Sequence, residues 1–380
     1  METQKENVDY AAEDFGFKDC LASPWKFRYP PFRSMEYLAY LKKKEREDGL
    51  TDEEEVLEAY LLYIRREALP EGLVYNVILK ANQGKARFCY LLGIFHWEGY
   101  SPYLQSSYQS YDFFVKAYRG KVKAACLYLG ILSLLGKGTS RNVPKAISYL
   151  KEAQPSREKD RWLGLALLET GQDSQGIPLL KRAEEDGDGV SSYYLGMTYL
   201  QGNHVSKDEE AAFGHFVLGA EKRSQACCKE AALLAYDGRG TDKDSLMALA
   251  YFLKAKDDPY CCFRAAEILE DHPSMDQSQV KGLYLKSYHL GYLEGGFRYA
   301  KAHLHHEEEA RVIAQTLASK YPELYFHLYL EYYHQNGTQG NEYLRAGMLL
   351  GDPSCLAEGR KHHRFSRFLQ KLDSKVSPQE

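Results

Sequence analysis

Residues 191–224 read SSYYLGMTYLQGNHVSKDEEAAFGHFVLGAEKRS, and this stretch decides the fold. Leu195 and Tyr199 stand one helical turn apart, so the spacing predicts a first helix that buries a single stripe. Gly196 follows the leucine. Gly202 predicts the helix end, because glycine takes positive φ without steric penalty. A polar turn leads to Asp208, whose carboxylate suits the cap of a second helix carrying Ala212, Phe216 and Gly219-Ala220. The unit is a helical hairpin.

Copies of this pattern lie on both sides of it. With the leucine as first position, a glycine falls seven places on and a small residue seventeen places on. Leu129-Gly130 is followed by Gly136 and Ala146, and Ala231 by Gly238 and Ala248. Leu92-Gly93 keeps Gly99; Leu163-Gly164 has Gly171 one place late; Phe297 keeps Ala314, and Phe263 only the spacing, with Val280. Successive starts are 37, 34, 32, 36, 32 and 34 residues apart, which is the period of a solenoid. Alanine at the eighteenth position lets the two helices approach. An aromatic four places later (Phe216, Phe252, Tyr284) is expected to fill the gap between hairpins. Asn142, Asp208, Asp244 and Asp276 are expected to cap second helices, Asp276 with Gln279 in capping-box form. No hairpin can bury both faces alone, so neighbours must stack.

The segments LGMTYLQGNHV-SKDEEAA and LGILSLLGKGT-SRNVPKA resemble the Sel-one-like repeat family, a branch of the tetratricopeptide superfamily. LKANQGKARFCYLLGIFHWEG carries the family's junction between repeats. The resemblance spans roughly residues 71–320 and implies an all-α superhelical solenoid. It also implies a non-catalytic scaffold or adaptor that holds a protein or peptide in its concave groove. Family members serve membrane-associated ubiquitin ligation and chitin-synthase activation, which makes a regulatory subunit of such a complex an alternative expectation.

The expected organisation is an arm over 1–33, capping helices over 34–84, repeats over 85–320, a degenerate repeat with a basic capping helix over 321–372, and a tail over 373–380. The arm interleaves Trp25, Phe27 and Tyr29 with Lys26 and Arg28, and Pro24, Pro30 and Pro31 favour extension. It reads either as a cap packed along the first helices or as a segment docking on a partner. RNA stacking is a third reading. Met35, Leu38 and Leu41 predict one face of the first helix. Thr51 with Glu54 forms a capping box opening the second, which Pro70 is expected to stop.

Beyond the repeats, Tyr325, Tyr329, Tyr332 and Tyr333 share one helical stripe, read either as core or as a partner-binding surface. Asn336–Gly340 reads as a turn before a helix over 341–350. One last helix after Pro353 is expected to carry Arg364 and Arg367 among other basic residues. With the arm, that helix motivates an alternative reading as a ribosome or ribonucleoprotein factor.

The chain of 380 residues is 44% hydrophobic and 27% charged, a globular balance, and its formal charge of −4 argues against nucleic-acid binding along its whole length. METQKENVDYAAEDF has no apolar core of a signal peptide, and no apolar run is long enough for a membrane span. A cytoplasmic location, or a nuclear one, is the resulting expectation. Eight cysteines (20, 89, 126, 227, 228, 261, 262, 355) form no C-x-x-C and read as reduced, small core residues. His303, His305, His306 and Glu307 cluster at a helix end but read as a solvated turn rather than a metal site. The phosphate-loop, serine-hydrolase, zinc-protease and kinase signatures are absent. No catalytic residue, metal or cofactor is therefore expected, and the partner expected is a protein.

Overall fold

A computed structural model of the chain describes residues 34–376 except 204, 275 and 334. Trp25, Phe27, Arg28 and Tyr29, the rest of the arm, and residues 377–380 lie outside the described residues. Among those described there are helices and no strand. The chain divides into two compact units between Asp186 and Gly187.

The first unit begins with α1 (Ser34–Glu47), α2 (Asp52–Ile64) and α3 (Glu71–Asn82). Three hairpins follow: α4 (Ala86–Glu98) with α5 (Ser107–Arg119), α6 (Ala125–Leu135) with α7 (Val143–Glu152), and α8 (Arg157–Glu169) with α9 (Asp173–Glu185). Each hairpin packs on the next, and the first helices also touch one another, α2 on α4 and α6 on α8. The α2–α4–α6–α8 layer therefore presents one continuous face.

The second unit repeats the design with α10 (Gly189–Gln201), α11 (Glu209–Glu221), α12 (Gln225–Asp237), α13 (Ser245–Lys254), α14 (Pro259–Asp271) and α15 (Ser278–His289). It continues through α16 (Leu293–His303), α17 (Glu308–Leu317), α18 (Glu323–Tyr333) and α19 (Gly337–Leu349). α20 (Pro353–Lys361), a 3-10 turn over His363–Phe365 and α21 (Ser366–Val376) complete it.

The local physics is visible at each hairpin. Leu92, Leu129 and Leu195 are buried, as are Ala146, Ala212, Ala248 and Ala314. Gly99, Gly136, Gly202 and Gly238 end first helices at φ of 69°, 66°, 72° and 73°. The Asn142, Asp208 and Asp244 side chains accept hydrogen bonds from the backbone N–H groups of the second helices they precede. Thr51 and Glu54 exchange both hydrogen bonds of a capping box. Tyr199 stacks on His215, with centroids 5.3 Å apart.

Several expectations are corrected. Met35 is 58% exposed; Tyr37, Leu38 and Leu41 form the buried face of α1, since three- and four-residue steps keep them on one stripe. α2 ends at Ile64, well before Pro70, which instead precedes the first residue of α3. Asp276 does not cap α15: it accepts from the backbone and hydroxyl of Ser278, and Gln277 is the cap residue. Phe216, by contrast, is buried in one core cluster with Cys227 and Ala231 of the next hairpin, and its ring also lies on Gly196 of its own, where a Cβ would come within 2.5 Å of it. Asn336 caps α19 directly, so residues 337–340 are its first turn and not a separate loop. The last basic helix is broken at His362 into α20 and α21.

Candidate functional site

The continuous face of the first unit holds a cavity of about 490 Å³. Its walls come from all four first helices of that unit. α2 supplies Tyr60 and Tyr63, α4 supplies Tyr90 and Trp97, α6 supplies Tyr128, and α8 supplies Trp162. Tyr60, Tyr63 and Tyr90 are buried and form the floor, while Trp97, Tyr128 and Trp162 are half-buried and offer ring surface to solvent.

The rings fix one another. Tyr128 stacks on Phe114 at 4.6 Å, and Tyr90 and Trp97 meet it at 6.1 Å and 6.3 Å in edge-to-face geometry. Such pairs add about 0.5–1.5 kcal/mol each beyond their buried area. Phe114 can lie so close to α4 because Gly93 has no side chain; a Cβ there would sit 2.6 Å from the ring. The repeat glycine thus positions the aromatic wall. The Tyr63 hydroxyl donates to Glu98 at 2.6 Å, and Arg66 pairs with the same carboxylate at 2.7 Å. Arg161 lies over the Trp162 ring at 5.3 Å. Burial pushes the Tyr60, Tyr63 and Tyr90 hydroxyls well up, so the floor stays uncharged and donates hydrogen bonds. Rigid rings with few torsions and polar tips are the chemistry of recognition.

The first helices of the second unit present a different face. Arg264 stacks on Tyr236 at 4.3 Å and pairs with Glu267 at 2.6 Å; Arg298 reaches the same glutamate, and Lys229 pairs with Asp258 at 2.9 Å. Its charges are matched in pairs rather than gathered by sign.

The tyrosines singled out in the sequence lie at the far end of the second unit. Tyr329 is buried among Leu344, Met348, Cys355, Phe365 and Leu369. Tyr325 and Tyr332 pack against Tyr343 at 6.5 Å and 5.5 Å, and Tyr333 against Tyr329 at 5.1 Å. Arg364 is exposed and lies over the Phe365 ring; Arg367 is exposed. The structure brings these residues into one end cluster, and the arm residues meant to accompany them lie outside the described residues. His305 pairs with Glu331 at 2.7 Å. Among the described residues no cluster of three or more His, Cys, Asp or Glu side chains is arranged to hold a metal ion.

The six groove aromatics were not read from the sequence. One signal was present: an aromatic immediately precedes the Leu-Gly pair in Tyr128-Leu129-Gly130, Trp162-Leu163-Gly164 and Tyr194-Leu195-Gly196. One residue before the buried leucine is a step of about 100° round the helix, which turns the side chain from the core towards the open face.

The Sel1 repeat family model matches residues 86–121, 123–153, 189–224 and 226–258, which are hairpins α4–α5, α6–α7, α10–α11 and α12–α13. No curated protein matches the chain. Among solved structures, a protective antigen of uropathogenic Escherichia coli displaying an SLR fold is 18% identical, with a TM-score of 0.56 over 84% of this chain and 73% of that one. A Sel1 repeat protein from Oxalobacter formigenes is 19% identical, with a TM-score of 0.46 over 61% of this chain and 96% of that one.

Proposed function

From the premise that this chain is a Sel1-repeat protein, we propose that it is a non-catalytic scaffold whose first unit holds a protein partner in the α2–α4–α6–α8 groove. The observation that carries this reading is the aromatic wall. Six tyrosine and tryptophan side chains from four alternate helices, α2, α4, α6 and α8, converge on one cavity, and three of them keep ring surface open to solvent. Aromatic side chains of this kind supply the dominant anchors of protein interfaces. The repeats build the rigid support, and the residues between the repeat positions supply the contacts.

The test is a comparison of native complexes purified through the wild-type chain and through Trp97→Ala/Tyr128→Ala. Loss of two anchors is expected to weaken a groove-bound partner by about 2–4 kcal/mol, which removes it from the purified complex. A circular-dichroism melt of the variant controls for folding. Recovery of the same partners in the same amounts by both proteins refutes the groove.

A further inference from the structure

We infer that the groove's occupant is an extended peptide segment with apolar side chains on the aromatic rings and an acidic run beside them; this rests on the scaffold reading above. A second cavity, of about 610 Å³, adjoins the groove in the same unit. Ala124 and Gln154 line both cavities, so one ligand can occupy the two together. The second cavity lies at the N-terminal ends of α2, α4 and α6, and its chemistry is the opposite of the groove's. Lys85, Arg87, Lys121 and Lys123 face it, against Asp52 and Glu53. Asp52 is held by Lys85 and by Lys80, the latter at 3.0 Å, so the Asp52–Lys85 pair cancels and Arg87, Lys121 and Lys123 outnumber Glu53.

Backbone groups add to this field. Lys85 and Ala124 precede the first residues of α4 and α6, and neither supplies a side-chain cap. Elsewhere in the unit Ser106, Asn142 and Ser156 fill that role. The positive ends of two helices therefore add to the lysines. Lys121 keeps φ at 67° in a conformation that would suit glycine better, which holds a cation on the cavity rim.

Positive charge at one end of an apolar groove selects a ligand divided in the same way. Single-stranded RNA would need cations along its whole track. The groove instead carries Glu158 and Arg161 on its wall, one charge of each sign, and so offers no run of cations to a phosphate backbone. A peptide with hydrophobic residues followed or preceded by Asp and Glu fits both cavities.

A library of short random peptides panned against the full chain tests the inference. Enriched peptides are then resynthesised and measured by fluorescence anisotropy against wild type, Lys121→Gly/Lys123→Glu, Lys123→Glu alone and Trp97→Ala/Tyr128→Ala. Both lysines are exposed, so the fold is expected to survive. The expected result is enrichment of apolar segments joined to acidic runs, with affinity that falls as salt rises. The double lysine variant is expected to weaken binding about tenfold. Enriched peptides without acidic bias, or unchanged affinity in the lysine variants, overturn the inference; if the aromatic variant still loses those peptides, the scaffold reading survives. Enrichment that neither variant affects, or no enrichment at all, refutes both. Displacement of bound peptide by oligouridylate assigns the site to RNA and overturns the inference.

Discussion

Gly196 and Gly214 show how differently one residue type acts within a single hairpin. Gly196 receives the Phe216 ring, and an added Cβ would lie 2.5 Å from it. Gly214, on the same helix as Phe216, has nothing within 4 Å of an added Cβ. Gly196→Ala is expected to destabilise the protein by about 1–3 kcal/mol through overpacking. Gly214→Ala is expected to stabilise it by about 0.5–1 kcal/mol through helix propensity. Opposite shifts of the urea midpoint check both, and equal shifts contradict the packing account. Glu58 of α2 is a second special position: it is buried, with Glu45 and Glu55 as like charges, and its carboxyl is pushed up to about 7. The folded state therefore holds a proton that the unfolded chain has released. Stability from the neutral carboxyl is complete below about pH 4.5 and is lost as pH rises towards 7. Glu58→Gln is expected to melt higher than wild type above neutral pH, with the gap closing in acid. A gap independent of pH assigns the effect to shape instead.

At the scale of the element, the ends of second helices follow one rule with telling exceptions. The chain leaves α9, α15 and α19 through Gly187, Gly291 and Gly351, all at positive φ. After α11 the same place is taken by Arg223, at φ 62°, whose N–H donates to the Ala220 carbonyl while Ser224 N–H donates to Gly219. This is a left-handed helix end built without glycine. Arg223→Gly is expected to raise stability by about 0.5–1 kcal/mol in chemical denaturation, since strain relief exceeds the added freedom of the unfolded chain. A loss of stability instead would show that the arginine side chain makes the larger contribution. The starts of second helices were legible in advance, because Asn142, Asp208 and Asp244 act through local hydrogen bonds. Asp276 was not, because α15 begins one residue later than a cap at Asp276 would require: Gln277 is the cap residue, and Asp276 bonds Ser278, the first residue of the helix.

For the whole molecule, every described cysteine is free and buried: Cys89, Cys126, Cys227, Cys228, Cys261, Cys262 and Cys355. Burial pushes the Cys126 thiol up to about 11, which leaves little thiolate near neutral pH. These thiols are expected to react slowly with a maleimide in native protein and rapidly in denaturant, as mapped by mass spectrometry. Fast native labelling at Cys126 or Cys227 would show that the stack opens on the timescale of the reaction. No described helix is long and apolar enough to cross a membrane. Each unit carries its own faces, and they differ although the repeat is shared: aromatic in the first, paired charges in the second.

By itself the sequence determined the hairpins, because Leu-Gly, the stop glycine, the capping acid and the close-packing alanine each act within a few residues or across one hairpin. Their recurrence at a near-constant period sufficed to establish the solenoid. The groove needed the tertiary structure. Tyr90 lies two places before its leucine, Trp97 five places after, and Tyr128 one place before, so no common offset marks them. They meet because the first helices of successive hairpins lie side by side and turn those different offsets to one face. The basic cavity has the same origin: Arg87 and Lys123 are 36 residues apart in the chain, and stacking of α4 and α6 brings both to one edge. Side-chain chemistry along the chain decided what each hairpin is; the packing of hairpins decided which residues act together.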